Sequence, residues 1–288
     1  MYNIFYCAID RLGNAGNVHK SKVFVDNTSP EVSIRYGEPY YTDGINEWIT
    51  SDTPIYVNAT DIGVGIVHLN ISVYSFETDS WTYYEVDASG TANISFTLQE
   101  ECKHWINITA YDVLGNTIYL NKTVYVDNTP PYMVESIEGP SYTTEDGRTF
   151  VTSDTIINVI IEDSGECSVG SLHVRIGIWY NGEWTYSWQN VSEGQINLAI
   201  NFDEECKHIL NITAYDDLGN AIYLNETFYV DNTPPEIRNV SAYPILQIPG
   251  SWVNITCIVS DLVGLSLIHI SEPTRPRLIS YAVFCLKK

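Results

Sequence analysis

The chain has 288 residues and a formal charge of −22, from 36 acidic and 14 basic residues. Such a charge repels phosphate backbones and anionic lipid surfaces, and no Lys/Arg cluster offers a local exception, so nucleic acid is excluded as a partner. No apolar run approaches the roughly 20 residues of a membrane helix, and no membrane insertion is expected in this segment. With 21 Tyr, 7 Trp, many Val, Ile and Thr and only 2 Met, the composition favours pleated, half-buried surfaces: the fold class is all-β.

The chain opens on "AIDRLGNAGNVHKSKVFVDNTSP" at residues 8–30, and a closely related phrase closes two later stretches: "AYDVLGNTIYLNKTVYVDNTPP" at 110–131 and "AYDDLGNAIYLNETFYVDNTPP" at 214–235. The Asp of "VDNT" falls at residues 26, 127 and 231, spacings of 101 and then 104 residues, the size of one small β-sandwich. Residues 1–30 therefore read as the last two strands of a broken unit, because Asp10 falls where Asp216 falls in a whole one.

Residues 31–131 read as a complete unit. "WITSDTPIYVNATD" at 48–61 and "IVHLNISVY" at 66–74 carry two strands. "TANISFTL" at 91–98 carries a third by strict alternation, with Ala92, Ile94, Phe96 and Leu98 on one face. "EECKHWINITAYD" at 100–112 enters the closing phrase. Residues 132–235 repeat this order: "FVTSDTIINVIIED" at 150–163, an alternating Ile196, Leu198, Ile200 and Phe202, and "EECKHILNITAYD" at 204–216. Each unit offers about seven short strands, lettered A to G in chain order, which is the count of an immunoglobulin-like sandwich. Residues 236–264 begin a further unit and carry its first two strands. The final stretch, "LSLIHISEPTRPRLISYAVFCLKK" at 265–288, resembles a translated sequencing-library adapter over nineteen residues in order, and no fold is expected of it.

"AYDxLGN" followed by "VDNTPP" resembles the tandem immunoglobulin-like repeats of bacterial and archaeal surface proteins. The resemblance covers residues 1–264 and implies an extracellular, cell-surface spacer or adhesive stalk, whose partners would be surface carbohydrate or other surface proteins. Eleven N-x-S/T sequons occur, where roughly four would arise by chance: Asn27, Asn58, Asn70, Asn93, Asn107, Asn121, Asn190, Asn211, Asn225, Asn239 and Asn254. Glycosylation of these asparagines is one expected cause of the excess. The alternative is β alternation, which places Asn and Thr two apart on one wet face and makes sequons without any modification.

Three further constellations stand out. Two prolines make the "VDNTPP" junction short and stiff, and it meets the end of the next sandwich where the loops after strands B and F lie. Carboxylates converge there: Asp26, Asn27, Asp61 and Asp112 at one junction, Asp127, Asn128, Asp163 and Asp216 at the next. Hard oxygen donors in that number suit calcium, as at cadherin-like junctions, although Asp and Asn also begin ordinary turns. "IGIWYNGEWTYSWQN" is a hairpin about Asn181-Gly182 that pairs Trp179 with Trp184 and puts Trp184, Tyr186 and Trp188 on one face. That face is either a platform for sugar rings or a shielding ladder. Cys167 and Cys206 are a candidate disulfide, yet the lettered strand order puts them at opposite ends of one sandwich, roughly 20 Å apart where about 4.4–6.8 Å is needed. His104 and His208 recur singly and suit packing roles. No nucleophile elbow, zinc spacing or phosphate loop is present, so no enzymatic activity is expected.

Overall fold

A computed structural model describes residues 1–65, 67–192, 194–246, 248 and 254–261. The adapter-like residues 265–288 lie outside them. No helix occurs among the described residues.

β1 (Tyr2–Tyr6) and β2 (His19–Val23) form a lone antiparallel hairpin, exposed along its length. The second repeat follows with nine strands: β3 (Glu31–Tyr36), β4 (Tyr40–Thr42), β5 (Glu47–Ile49), β6 (Ile55–Thr60), β7 (Val67–Ser75), β8 (Ser80–Ala88), β9 (Thr91–Phe96), β10 (Cys102–Tyr111) and β11 (Thr117–Val126). They make a three-stranded sheet in the order β3-β6-β9 and a six-stranded sheet in the order β4-β5-β11-β10-β7-β8.

The third repeat has the same plan: β12 (Tyr132–Glu138), β13 (Ser141–Thr143), β14 (Thr149–Val151), β15 (Ile156–Glu162), β16 (Leu172–Tyr180), β17 (Glu183–Val191), β18 (Gln195–Ile200), β19 (Cys206–Tyr215) and β20 (Ala221–Val230). Its sheets run β12-β15-β18 and β13-β14-β20-β19-β16-β17. β21 (Glu236–Tyr243) and β22 (Asn254–Ser260) then pair as an antiparallel hairpin.

Nine strands replace the expected seven. The added pair in each repeat, β4-β5 and β13-β14, are three-residue strands, too short to show a period-two pattern. They close the sheet edge by a parallel pairing of β5 with β11 and of β14 with β20. A buried threonine anchors each: Thr53 Oγ1 donates to the Pro39 carbonyl and Thr155 Oγ1 to the Pro140 carbonyl, both at 2.6 Å.

Alternation decides which faces meet. β7 alternates buried and half-buried residues along its whole length, and β10 and β19 do so from Ile106 and His208 onward. The expected core face of β18 is the observed one: Ile196, Leu198, Ile200 and Phe202 are buried, and in β19 Leu210, Ile212 and Ala214 are buried as well. Each repeat encloses its own apolar cluster, one drawn from residues 32–126 and the other from 133–230. His208 packs between the rings of Tyr180 and Phe202, at 4.7 and 4.5 Å. All eight sequon asparagines between Asn58 and Asn225 avoid the cores, as the outward half of the alternation requires.

Because the two clusters are separate, Leu210→Ala should destabilise the third repeat by about 2–5 kcal/mol while leaving the melting transition of the second in place. Calorimetry resolving the two transitions checks this; a common shift of both would show one cooperative core.

Candidate metal centre at the inter-repeat junction

Asp127 is held by both repeats. Its backbone N–H donates to the Ile49 carbonyl at 2.9 Å, continuing the parallel pairing of β5 with β11. Its backbone carbonyl accepts from Asn220 Nδ2 at 3.0 Å, and its Oδ2 accepts from Val169 N–H at 2.9 Å, both in the third repeat. Asp163 follows β15 and accepts from Gly170 N–H at 2.7 Å. Asp216 follows β19 and accepts from Leu218 and Asn220 N–H at 2.9 and 2.8 Å. These last bonds are the Asx-type turn expected of "DxLGN".

The turn aims the carboxylates at one another. Asp127, Asp163 and Asp216 each present an oxygen within 4.8 Å of the others, and all three are buried. Asp26, Asp61 and Asp112 form the same triad one repeat earlier. The bonding repeats as well: Asp26 Oδ2 accepts from Val64 N–H, Asp61 from Gly65 N–H and Asp112 from Leu114 and Asn116 N–H, while Asn116 Nδ2 reaches the Asp26 carbonyl. A Cβ added at Gly63 would fall 1.8 Å from Asp26 Oδ2, so glycine is required for that carboxylate's approach.

Two of the eight expected metal residues part company with the rest. Asn128 turns back to the second repeat, where its Oδ1 accepts from Ser51 N–H at 2.8 Å; Asn232 does the same to Ser153. Asn27 is solvent-exposed. The asparagine is thus a clamp on the preceding sandwich. Glu101 completes that clamp by accepting from Asn128 N–H at 3.0 Å, as Glu205 does from Asn232. "EEC" had read as a solvated corner; its recurrence immediately before both cysteines was the available signal.

The disulfide is also corrected. Cys167 bonds to Cys102 of the preceding repeat, with a Cα separation of 4.9 Å, and Cys206 is a free, exposed thiol. The loop after β15 reaches across the junction, where β10 begins, so the partner of Cys167 lies in the neighbouring sandwich.

Electrostatically the two triads differ. Burial pushes Asp127 and Asp163 up to about 6, against hydrogen bonds that lower them, and Asp216 is also raised by burial. At the earlier triad hydrogen bonding prevails: Thr28 holds Asp26 below the usual range, and at Asp112 the bonds from Asn116 outweigh burial. Asp26 is partly open, whereas Asp61 and Asp112 are buried. No ion pair among the described residues reaches any of the six carboxylates. An all-oxygen, multiply anionic, cation-free donor set fits a hard divalent ion such as calcium.

The aromatic hairpin has the expected register, with Trp179 opposite Trp184, Gly177 opposite Tyr186 and Arg175 opposite Trp188. Trp184, Tyr186 and Trp188 are 41%, 56% and 55% exposed, so the platform faces solvent. Trp184 and Tyr186 stack at 5.9 Å, with the Arg175 guanidinium over Tyr186. Gly177 permits this, since a Cβ there would meet the Tyr186 ring at 2.8 Å. Trp179 is half-buried, with the Lys207 ammonium over its ring.

No family model matches the chain, and no curated protein is similar to it. Among solved structures it is similar to the FN1–FN3 domains of chicken CNTN1, at 11% identity and a TM-score of 0.34, covering 78% of this chain and 76% of that one. It is also similar to a Ca²⁺-stabilized adhesin with which an Antarctic bacterium binds ice, at 15% identity and a TM-score of 0.32, covering 84% of this chain and 60% of that one. A third is a 1.5-MDa bacterial ice-binding adhesin, at 12% identity and a TM-score of 0.32, covering 75% and 71%.

Asp127 and Asp163 hold their protons more tightly folded than unfolded. The metal-free junction is therefore most stable below about pH 4, where both are protonated in either state, and loses that stability as pH rises through about 6. In chelator, the melting temperature of Asp163→Asn relative to the unaltered protein should climb between pH 4 and 6. A difference flat across that range would mean the carboxylates are solvated.

Proposed function

We propose that the chain is a spacer segment of an extracellular microbial surface protein, built as a run of immunoglobulin-like units over 1–30, 31–131, 132–235 and 236–264 and stiffened by calcium at the two junctions that carry aspartate triads. The observation that carries this reading is the bond-for-bond recurrence of the aspartate triad at two successive linkers. A turn needs only Asp112 or Asp216. Three linker and loop carboxylates converging on one buried point need a countercharge. The disulfide between repeats supports an oxidising compartment, and the outward-facing sequon asparagines are open to glycosylation.

In this role Asp127, Asp163 and Asp216 would hold the ion, with Asp26, Asp61 and Asp112 holding its counterpart. Calcium supplies the positive charge that lets all three carboxylates ionise while buried. The protein's part is to orient them: Val169 and Gly170 N–H fix two from the loop after β15, and Asn220 ties Asp216 to the linker.

Calcium at about 100 times its dissociation constant should stabilise the junction by about 3 kcal/mol and lengthen the particle in small-angle scattering. Asp163→Asn should abolish both responses while raising stability in chelator. A protein indifferent to calcium would leave the aspartates as turn formers alone.

A second reading rests on the exposure of Trp184, Tyr186 and Trp188: this face stacks on sugar rings. Titration with a panel of soluble oligosaccharides should quench tryptophan fluorescence, and the double substitution Trp184→Ala, Trp188→Ala should remove the effect. No quenching by any member would leave the ladder as a shield for the sheet.

A further inference from the structure

The two aspartate triads are built alike, but the loops that complete them differ in length. At the first junction Val64 N–H holds Asp26 and Gly65 N–H holds Asp61, within the run Asp61-Ile62-Gly63-Val64-Gly65. At the second, Val169 N–H holds Asp127 and Gly170 N–H holds Asp163, within Asp163-Ser164-Gly165-Glu166-Cys167-Ser168-Val169-Gly170. The donors are the same two residue types in the same order. Glu166, Cys167 and Ser168 are what the second loop has in addition.

The added length changes how the loop meets the linker. The short loop lies directly on it, since a Cβ at Gly63 would fall 1.8 Å from Asp26 Oδ2. A Cβ at Gly165, the corresponding glycine, would meet nothing nearer than Ser168 of its own loop, at 3.8 Å. Ser164, Gly165 and Glu166 are exposed. Among the described residues, the one hydrogen bond made by residues 164–167 is that of the Gly165 carbonyl, which accepts from Ser168 Oγ at 3.4 Å. Cys167 ties this excursion to another element, through its bond to Cys102 at the start of β10, with the Cα atoms 4.9 Å apart. Without that tether the loop must be ordered before its two N–H groups can face the carboxylates, and ordering a single residue is worth roughly a factor of ten in an equilibrium constant.

We infer that the Cys102–Cys167 disulfide positions the cation-binding loop of the third repeat. It takes the place of the close loop-to-linker packing at the first junction, and it makes calcium affinity at Asp127, Asp163 and Asp216, but not at Asp26, Asp61 and Asp112, depend on the state of two thiols. The inference rests on the calcium reading of the triads. Linkage makes the dependence reciprocal: calcium protects the disulfide from reduction by the factor by which the disulfide strengthens calcium binding.

The test is a calorimetric titration of the full chain with calcium, oxidised and in dithiothreitol. That reductant breaks the protein S–S bond, leaves two protein S–H groups and departs as its own cyclic disulfide, so two electrons and two protons pass to the protein. Two sites are expected in the oxidised protein. Reduction should weaken one by roughly tenfold or more and leave the other unchanged, and the weakened site should be the one that Asp163→Asn removes. Cys167→Ser should match the reduced protein in either buffer. Deleting Glu166, Cys167 and Ser168 recreates the short loop as Asp163-Ser164-Gly165-Val169-Gly170, and this variant should bind tightly at both sites with reductant present. Its third-repeat melting transition reports that it has folded; if that transition is lost, the oxidised and reduced titrations decide alone. Two sites whose affinities ignore reduction, or a folded deletion variant that binds as weakly as the reduced protein, would overturn the inference and leave the calcium reading in place. No calcium at either site would overturn both.

Discussion

Three carboxylates of like sign, buried within 4.8 Å of one another, set the terms on which one repeat meets the next. Ionised together in a low-dielectric site they repel by several kcal/mol, and desolvation adds to the cost. The arrangement persists because each carboxylate is held by backbone N–H groups that cannot turn away without dismantling a loop. Asp127 is the shared member, with its amide in one sandwich and its carbonyl and carboxylate in the other. Neither repeat can rotate about the linker without breaking bonds made by this residue.

The sandwich supplies what the triad needs from a distance. Strands β15 and β19 run side by side in direction though they belong to opposite sheets, so the loops that follow them emerge at the same end. Asp163 and Asp216 end these strands, 53 positions apart in sequence, and the linker delivers Asp127 to the same end. The same end-to-end geometry brings Cys167 within reach of the start of β10, and places the Asn128 and Glu101 clamp on the opposite side of the junction. Two sets of contacts therefore grip the linker. The clamp belongs to the preceding unit and the carboxylate triad to the following one.

The exposed aromatic face obeys a different constraint. Strand alternation puts Trp184, Tyr186 and Trp188 on one face of β17, and the two-residue turn fixes the register that sets them opposite Trp179, Gly177 and Arg175. The opposite face of β16 is committed to the core by Leu172, Val174 and Ile176, so the rings are left outward, lying over Gly177.

Much of this was legible in the chain. Period-two alternation identified the core faces of β9 and β18, because the environment of a strand residue depends mainly on its parity. The repeat placed the aspartates at the linkers, and the Asn181-Gly182 turn gave the hairpin register, since both are local rules. What escaped were features without a local rule. The three-residue edge strands have no period to read. The Cys102–Cys167 bond was missed because pairing was sought within one sandwich, whereas the bond crosses to the next. Asn128 looked like a ligand by composition, and only its neighbours show it facing Ser51. Sequence alone determined the fold class, the repeat and the chemical kind of each junction residue; which of them converge and which turn back was decided by the tertiary structure, because direction in space is set by contacts between segments that sequence holds far apart.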